Sequence, residues 1–195
     1  MHKSNKRDDI IGAALELIAE HGFHAAPMSV IAKKAGVGSG TIYIYFKSKD
    51  DLIDEINLML EKNILTVVEK NYPLDKNIKD RFFHLCKTVI TYFIAHPVHF
   101  RFVEQYFYSP YGEARQRERI SGENAEFEIF RKLIEQGIKE KVLKDLPVFM
   151  HFALSFGPIV VLVRNHVFGL VELEDLQINQ AIDAFWDAIK RQNPD

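Results

Sequence analysis

The residues of this chain that could support catalysis or metal binding do not stand in the spacings that such chemistry needs. His96 and His99 are three apart, but Pro97 lies between them and no nearby carboxylates or cysteines complete a metal site. Cys86 and His84 are two apart in a helical pattern, which turns them to different sides and away from a nucleophile–base pair. We therefore expect a protein that is not an enzyme, with no catalytic residue, no metal and no cofactor.

A second candidate for chemistry is the segment from Gly36 to Lys49, which combines glycines, hydroxyl groups and lysine. Its Gly-x-Gly-x-Gly run is a poor phosphate loop, because no strand pattern precedes it and no Gly-Lys-Ser/Thr follows. The same residues fit a helix that ends at Gly36, a tight turn, and a short helix capped by Ser39. Two short helices joined in this way are typical of a helix-turn-helix, whose second helix enters the DNA major groove.

The elements around this segment are predicted to be helical throughout. Helical periodicity recurs along the chain and no stretch shows a persuasive two-residue alternation, so we expect an all-α protein. Capping residues and prolines divide the pattern into about nine helices. The first ends before Gly22, and the others are predicted near 28–35, 39–46, 48–71, 75–96, 98–109, 112–143, 147–168 and 175–192.

Composition places few limits on the partners. Of the 195 residues 47% are hydrophobic and 27% are charged, which is typical of a globular protein. The first fifty residues hold seven Lys/Arg against five Asp/Glu, a mild basic bias that is compatible with DNA binding. The N-terminus lacks the apolar core of a signal peptide, and the apolar run 157–163 is shorter than the roughly 20 residues of a membrane span. We expect a cytoplasmic protein with no membrane role.

Six short motifs follow one another between Gly22 and Leu52. They are Gly22-Phe23, Ile31-Ala32, Ala35-Gly36-Val37, Gly40-Thr41-Ile42-Tyr43, Tyr45-Phe46 and Ser48-Lys49. This series resembles the TetR family of bacterial one-component regulators. The resemblance implies a helix-turn-helix DNA-binding domain over residues 1–47 and a larger helical effector-binding and dimerisation domain over 48–195.

The resemblance also implies which residues meet double-stranded DNA. The candidates are Ser39, Gly40, Thr41, Tyr43, Ile44, Tyr45 and Lys49. Tyr43 and Lys49 most resemble phosphate contacts, whereas Ser39, Thr41 and Ile44 most resemble positions that face bases. The family often has a polar residue where this chain has Ile44, which offers only apolar contact. If Ile44 faces DNA, we expect tolerance or preference for thymine there. Ala26-Pro27 likewise replaces a threonine that often meets phosphate.

Two alternatives stay open for this N-terminal region. The three helices could form a subdomain with no DNA role, in which Tyr43 and Tyr45 are packing residues. The basic arm of Lys3, Lys6 and Arg7 either reaches DNA or forms a solvated tail.

The region after residue 48 is rich in aromatic residues, with eight between residues 92 and 111. These rings form either a filled core or the wall of a pocket. In the resembled family this domain holds a small-molecule inducer, so an apolar or aromatic effector is expected. The candidate ligand-binding residues are Tyr92, Phe102, Tyr106 and Phe130. The alternative is a C-terminal domain that binds a protein partner.

The last two predicted helices are expected to form a homodimer. The helix near 147–168 is apolar nearly all round and needs cover on more than one side, and that near 175–192 has apolar residues at three- and four-residue spacings. In the resembled family four such helices meet across a two-fold axis. The alternative is that they pack only within the chain. Together these expectations describe a ligand-responsive regulator, most often a repressor, that binds a palindromic operator.

Overall fold

The computed structural model describes residues 5–113 and 128–192. Within these residues the secondary structure is helical, with one isolated backbone bridge between Leu143 and Lys190, so the all-α prediction is confirmed. The nine helices of these ranges are α1 Lys6–His21, α2 Met28–Lys34, α3 Ser39–Tyr45, α4 Lys49–Glu69, α5 Ile78–Ala95, α6 Pro97–Phe107, α7 Glu128–Lys139, α8 Val148–Val167 and α9 Asp175–Ile189. Residues 110–113 are also helical.

The predicted helix over 112–143 ends earlier than its sequence pattern indicates. α7 stops at Lys139, and Lys141 adopts the left-handed conformation with a φ of 60°. The amide of Val142 donates to the carbonyl of Gly137 and that of Lys141 to Ile138, which is a Schellman ending. Glycine usually occupies the left-handed position, so a lysine there gives no sequence signal. Lys3, Phe127 and the middle of this predicted helix lie outside the described residues.

The described chain forms two compact units. Of the described residues, the first unit contains 5–62 and 97–113, and the second contains 63–96 and 128–192. In the first unit α1, α2, α3, the start of α4 and α6 share one apolar core. The side-chain amide of Gln105, on α6, donates to the carbonyls of Ile18 (3.0 Å) and Ala19 (3.2 Å), so it caps the C-terminal end of α1.

The second unit is built from α5, α7, α8 and α9. Phe82 of α5 packs against Trp186 of α9, with ring centroids 5.7 Å apart. Phe130 of α7 meets Phe152 and Phe156 of α8 edge-on, at 5.9 and 5.0 Å. These interlocked rings exclude water from the centre of the unit and hold its helices together.

α8 leaves much of its apolar surface uncovered. Phe149, Met150, Leu154 and Val161 are exposed by 38–59%, and the last three lie on one stripe at spacings of four and seven residues. By length and composition alone α8 could cross a membrane, since its most apolar 18-residue stretch has a mean hydropathy of 1.5. Only 22% of that stretch is buried. A single helix of this kind is weak evidence for a membrane span, because apolar core helices share these properties.

Candidate DNA interface and effector groove

The turn between α2 and α3 is set by Gly36. It has a φ of 67°, a conformation that L side chains rarely adopt, and the amide of Val37 donates across it to Ala32. Gly38, rather than Ser39 as predicted, takes the N-cap position of α3, and no side chain caps this helix. Ser39 is therefore the first residue of the helix, where its hydroxyl is exposed.

α3 is held to the core by very few side chains. Ile42 is fully buried, and Phe46, directly after the helix, is 4% exposed. Tyr43, Ile44 and Tyr45 are exposed by 54, 79 and 39%. Of the other predicted DNA contacts, Ser39 and Gly40 are exposed and Thr41 is half-buried. Apart from Ile42, the helix thus presents its side chains to solvent, as a helix that enters a major groove must.

The start of α4 lies against the segment that precedes α2. Ser48 and Asp51 exchange hydrogen bonds between side chains and backbone amides, which forms a capping box at the start of α4. The ammonium of Lys49 donates to the carbonyl of Phe23. Burial lowers the pKa of Lys49, and the charge of Asp50 opposes this shift. Lys49 therefore uses one of its three donors within the protein, and contact with phosphate remains a prediction.

Some basic side chains of the first unit form ion pairs with carboxylates, and others do not. Arg7 pairs with Glu55 (2.7 Å) and lies over the ring of Phe46, with its guanidinium carbon 5.5 Å from the centroid. Lys34 pairs with Glu16 at 2.9 Å. Lys6, Lys33 and Lys47 are exposed and make no ion pair with any residue that the structure describes. The predicted contact set omits Lys33 and Lys47, because exposure cannot be read from a lysine in isolation.

The four aromatic residues predicted to bind a ligand are all buried, and they are divided between the two units. Phe102 and Tyr106 stack on each other in the core of the first unit, with centroids 6.1 Å apart, and the Tyr106 hydroxyl donates to Asp54. Phe130 belongs to the ring cluster of the second unit. Tyr92 lines an open groove. Burial raises the pKa of Tyr92, and a hydrogen bond with Asn63 opposes the shift.

This groove lies on the second unit and has a volume of about 630 Å³. It is lined by Val67 of α4 and by one face of α5 from Asp80 to the following His96, and most of its surface is apolar. A volume of this size suits a small organic molecule. The sequence prediction includes Tyr92 but not the groove, which depends on how α4 and α5 pack.

The described residues provide little for other chemistry. Within 5–113 and 128–192 no group of three His, Cys, Asp or Glu side chains could hold a metal ion. Cys86 is fully buried, and burial raises the pKa of its thiol. A thiol in this state is a poor nucleophile.

Comparison with known proteins matches both parts of the chain to family models. Residues 10–56 match the model described as bacterial regulatory proteins, tetR family, and residues 77–190 match the model described as tetracyclin repressor-like, C-terminal domain. The first match contains α3 and the second contains the groove-lining face of α5.

Individual proteins give the same result. A putative TetR family regulator from Vibrio parahaemolyticus is 32% identical, with a TM-score of 0.78 over 96% of this chain and 100% of that one. The fatty acid metabolism regulator protein of Bacillus subtilis is 53% identical over 60 residues, which span 31% of this chain and 30% of that protein. The regulator FadR from Bacillus subtilis, solved in complex with stearoyl-CoA, is 23% identical, with a TM-score of 0.73 over 92% of this chain and 95% of that one.

The helix-turn-helix with its exposed second helix, the two family models and the full-length likeness to a solved regulator agree. The chain therefore belongs to the TetR family of DNA-binding transcriptional regulators.

Proposed function

We propose that this chain is a cytoplasmic, homodimeric repressor that binds a palindromic operator and is released from it by a small apolar or aromatic effector. The observation that carries the proposal is α3, a helix with a single fully buried side chain and three exposed large ones. Exposing Tyr43, Ile44 and Tyr45 together has no structural benefit, whereas all three have groups that can meet DNA. Tyr43 and Lys49 contact phosphate in this proposal, and Ser39, Thr41 and Ile44 face bases.

The homodimer is supported by the uncovered stripe of α8. α8 is apolar overall, and one exposed stripe of it carries Met150, Leu154 and Val161. Contact with a second copy of the chain would bury these side chains. We place the interface on α8 and α9, the helices nearest to the predicted ranges 147–168 and 175–192. Two copies of α3 would then read half-sites about 34–36 Å apart, or a multiple of that distance.

The effector is supported by the groove on α5. Its apolar lining and its volume suit a molecule with an apolar body. FadR from Bacillus subtilis has been solved with stearoyl-CoA, and the curated match from the same species is named for fatty acid metabolism. An effector acts only if it binds the DNA-competent and DNA-incompetent states unequally. In this proposal residues 1–47 bind DNA and residues 48–195 bind the effector and the second copy.

One alternative remains for the second unit. Its exposed apolar stripe on α8 would also suit a protein partner of a different kind. A chain that is monomeric alone at micromolar concentration, and that binds DNA without responding to apolar small molecules, would favour this alternative.

The test begins with selection of binding sites from random duplex DNA by the full-length protein. The selected site should be palindromic, and its affinity is then measured by fluorescence anisotropy. Tyr43→Ala should weaken binding by roughly tenfold or more, because it removes a charge-assisted hydrogen bond and packing against the backbone. Tyr108→Ala is the matched control, since Tyr108 is 74% exposed and lies outside α3. Equal losses in both variants, or no selected site, would contradict the proposal.

A further inference from the structure

The face of α5 that lines the groove continues to a buried arginine. His84, Thr88, Tyr92 and Ala95 line the groove at spacings of three and four residues, so they form one stripe along the helix. Arg81 occupies the next position of that stripe, three residues before His84. Arg81 does not itself line the groove, but its place in the helix puts a cationic residue next to His84 of the groove wall.

Arg81 is only 6% exposed, and its charge is not neutralised by a neighbour. One terminal nitrogen donates to the side-chain oxygen of Gln136 at 2.7 Å, and the guanidinium lies 5.4 Å from the ring centroid of Tyr72. No carboxylate among the residues that the structure describes pairs with it, and its Nε–H is buried without an acceptor. Burying an unpaired guanidinium with an unused donor is costly, so proteins rarely retain one without a use.

A second unused donor lies beside the first. The hydroxyl of Tyr72 is buried and makes no hydrogen bond of ordinary geometry. Burial raises its pKa, while Arg81 opposes the shift, first through a loose hydrogen-bonding contact and then through its charge. Because a guanidinium can only donate, the protonated phenol keeps its own O–H free to donate. The Tyr72 ring also meets the ring of His84 edge-on at 5.8 Å, and His84 lines the groove. Two buried donors therefore stand next to the groove wall.

The other charged groups of the groove are already engaged. The carboxylate of Asp80 accepts from the side-chain amide of Asn77 at 3.0 Å. The ammonium of Lys87 pairs with Asp175 at 3.2 Å. Arg81, which lies behind the groove wall and does not line it, has no carboxylate partner among the described residues.

We infer that the effector is a small carboxylate with an apolar body, whose carboxylate accepts hydrogen bonds from Arg81 Nε and the Tyr72 hydroxyl while its apolar body lies in the groove. This inference rests on the proposed effector function and specifies its ligand class. An ionised carboxylate has hydrogen-bond acceptors but no donors, and it carries a negative charge. It therefore suits the cationic donor of Arg81 and the hydroxyl donor of Tyr72. The apolar lining around Val67 and Ala95 favours a hydrocarbon or aromatic body over a free inorganic anion.

The binding test uses the full-length protein and its single tryptophan. Trp186 packs on Phe82, the neighbour of Arg81 in sequence, so its fluorescence should report occupancy of the site. The probes are octanoate and 2-naphthoate, with 1-octanol as the uncharged match and inorganic phosphate as the anion without an apolar body. Either carboxylate should bind at least about tenfold more tightly than 1-octanol or phosphate, as a charge-assisted hydrogen bond allows. Equal binding of octanol and octanoate would overturn the inference.

The variants separate a binding role from a packing role. Arg81→Met should weaken octanoate binding at least about tenfold, whereas Arg131→Met, at a half-buried arginine on α7, should not. Without ligand, Arg81→Met should melt at the same temperature as the parent or higher, because it removes an uncompensated buried charge. A fall of several degrees would show that Arg81 serves packing alone. If the protein binds operator DNA but neither carboxylate, this inference fails and the regulator proposal stands. If octanoate binds but operator DNA does not, the regulator proposal fails and the carboxylate site stands.

Discussion

Replacing Val161 with glutamate should dissociate the proposed homodimer without unfolding the chain. Val161 lies on α8 and is 59% exposed in the single chain, on the stripe that also carries Met150 and Leu154. A glutamate at an exposed helix position has favourable helix propensity and displaces no core atom. The substitution therefore acts on association and leaves the chain's own core intact.

The size of the effect follows from the exposed fraction. Fully burying a valine or similar side chain stabilises by roughly 1.5–3 kcal/mol, so covering the remaining 59% contributes roughly 1–2 kcal/mol per copy. A two-fold interface contains two copies, which gives roughly 2–4 kcal/mol per dimer. At about 1.4 kcal/mol per tenfold change, the dissociation constant should rise roughly thirty- to seven-hundred-fold. Two carboxylates brought together across the axis would add to this loss.

Sedimentation velocity over a range of protein concentrations measures the change, and operator affinity is measured in parallel. Leu74→Glu is the matched control, because Leu74 is 75% exposed and lies outside α8 and α9. Val161→Glu should shift the protein to monomer and weaken binding to a full palindrome more than to a half-site. A variant that dimerises as tightly as the parent would refute the reasoning that α8 forms the interface.

Three further predictions concern DNA and pH. Lys47→Gln should weaken operator binding and lower the slope of log affinity against log salt by about 1, as for one lost phosphate contact; an unchanged slope would remove Lys47 from the interface. Ile44→Ala should abolish a thymine preference at one position of the selected site, and an unaltered base preference would contradict a contact from Ile44. Burial lowers the pKa of His151. A hydrogen bond to the Lys144 carbonyl opposes this shift, and the Lys144 charge adds to it. The folded state therefore favours the neutral ring. The unfolded chain then binds more protons than the folded one, so the free energy of unfolding, measured by urea denaturation, should fall as the pH drops below about 6.5. The fall should be less steep in His151→Gln. Equal pH dependence in the two proteins would contradict the lowered pKa of His151.

The helix-turn-helix is predictable because its signals are local. Gly36 marks a left-handed turn, and the capping box of Ser48 and Asp51 marks the start of α4, each within a few residues of the structure it specifies. The end of α7 is not predictable in this way, since Lys141 adopts the left-handed conformation without a glycine. The residues that follow Lys141 are joined by backbone hydrogen bonds to the end of α9, which lies far away in the sequence: the amide of Lys144 donates to Ile189, and that of Arg191 donates to Val142.

The effector site is harder to predict because aromatic density does not reveal which core a ring belongs to. Phe102 and Tyr106 fit a ligand pocket in sequence, yet α6 packs on α1 and both rings fill the core of the first unit. Arg81 gives the opposite case. In the sequence it is one charged residue on an amphipathic helix, and only its 6% exposure and its unused Nε–H distinguish it.

The cap that Gln105 places on the end of α1 has a consequence for engineering chimeric regulators. A DNA-reading module cut from this chain at residue 47 would leave the carbonyls of Ile18 and Ala19 without their donor, and would expose the side of α1 that packs on α6. A transferable module is discontinuous in sequence, because residues 5–62 must be transferred together with residues 97–113. Chimeras that receive both segments should keep the operator preference of this chain. Chimeras joined at residue 47 alone should be less soluble.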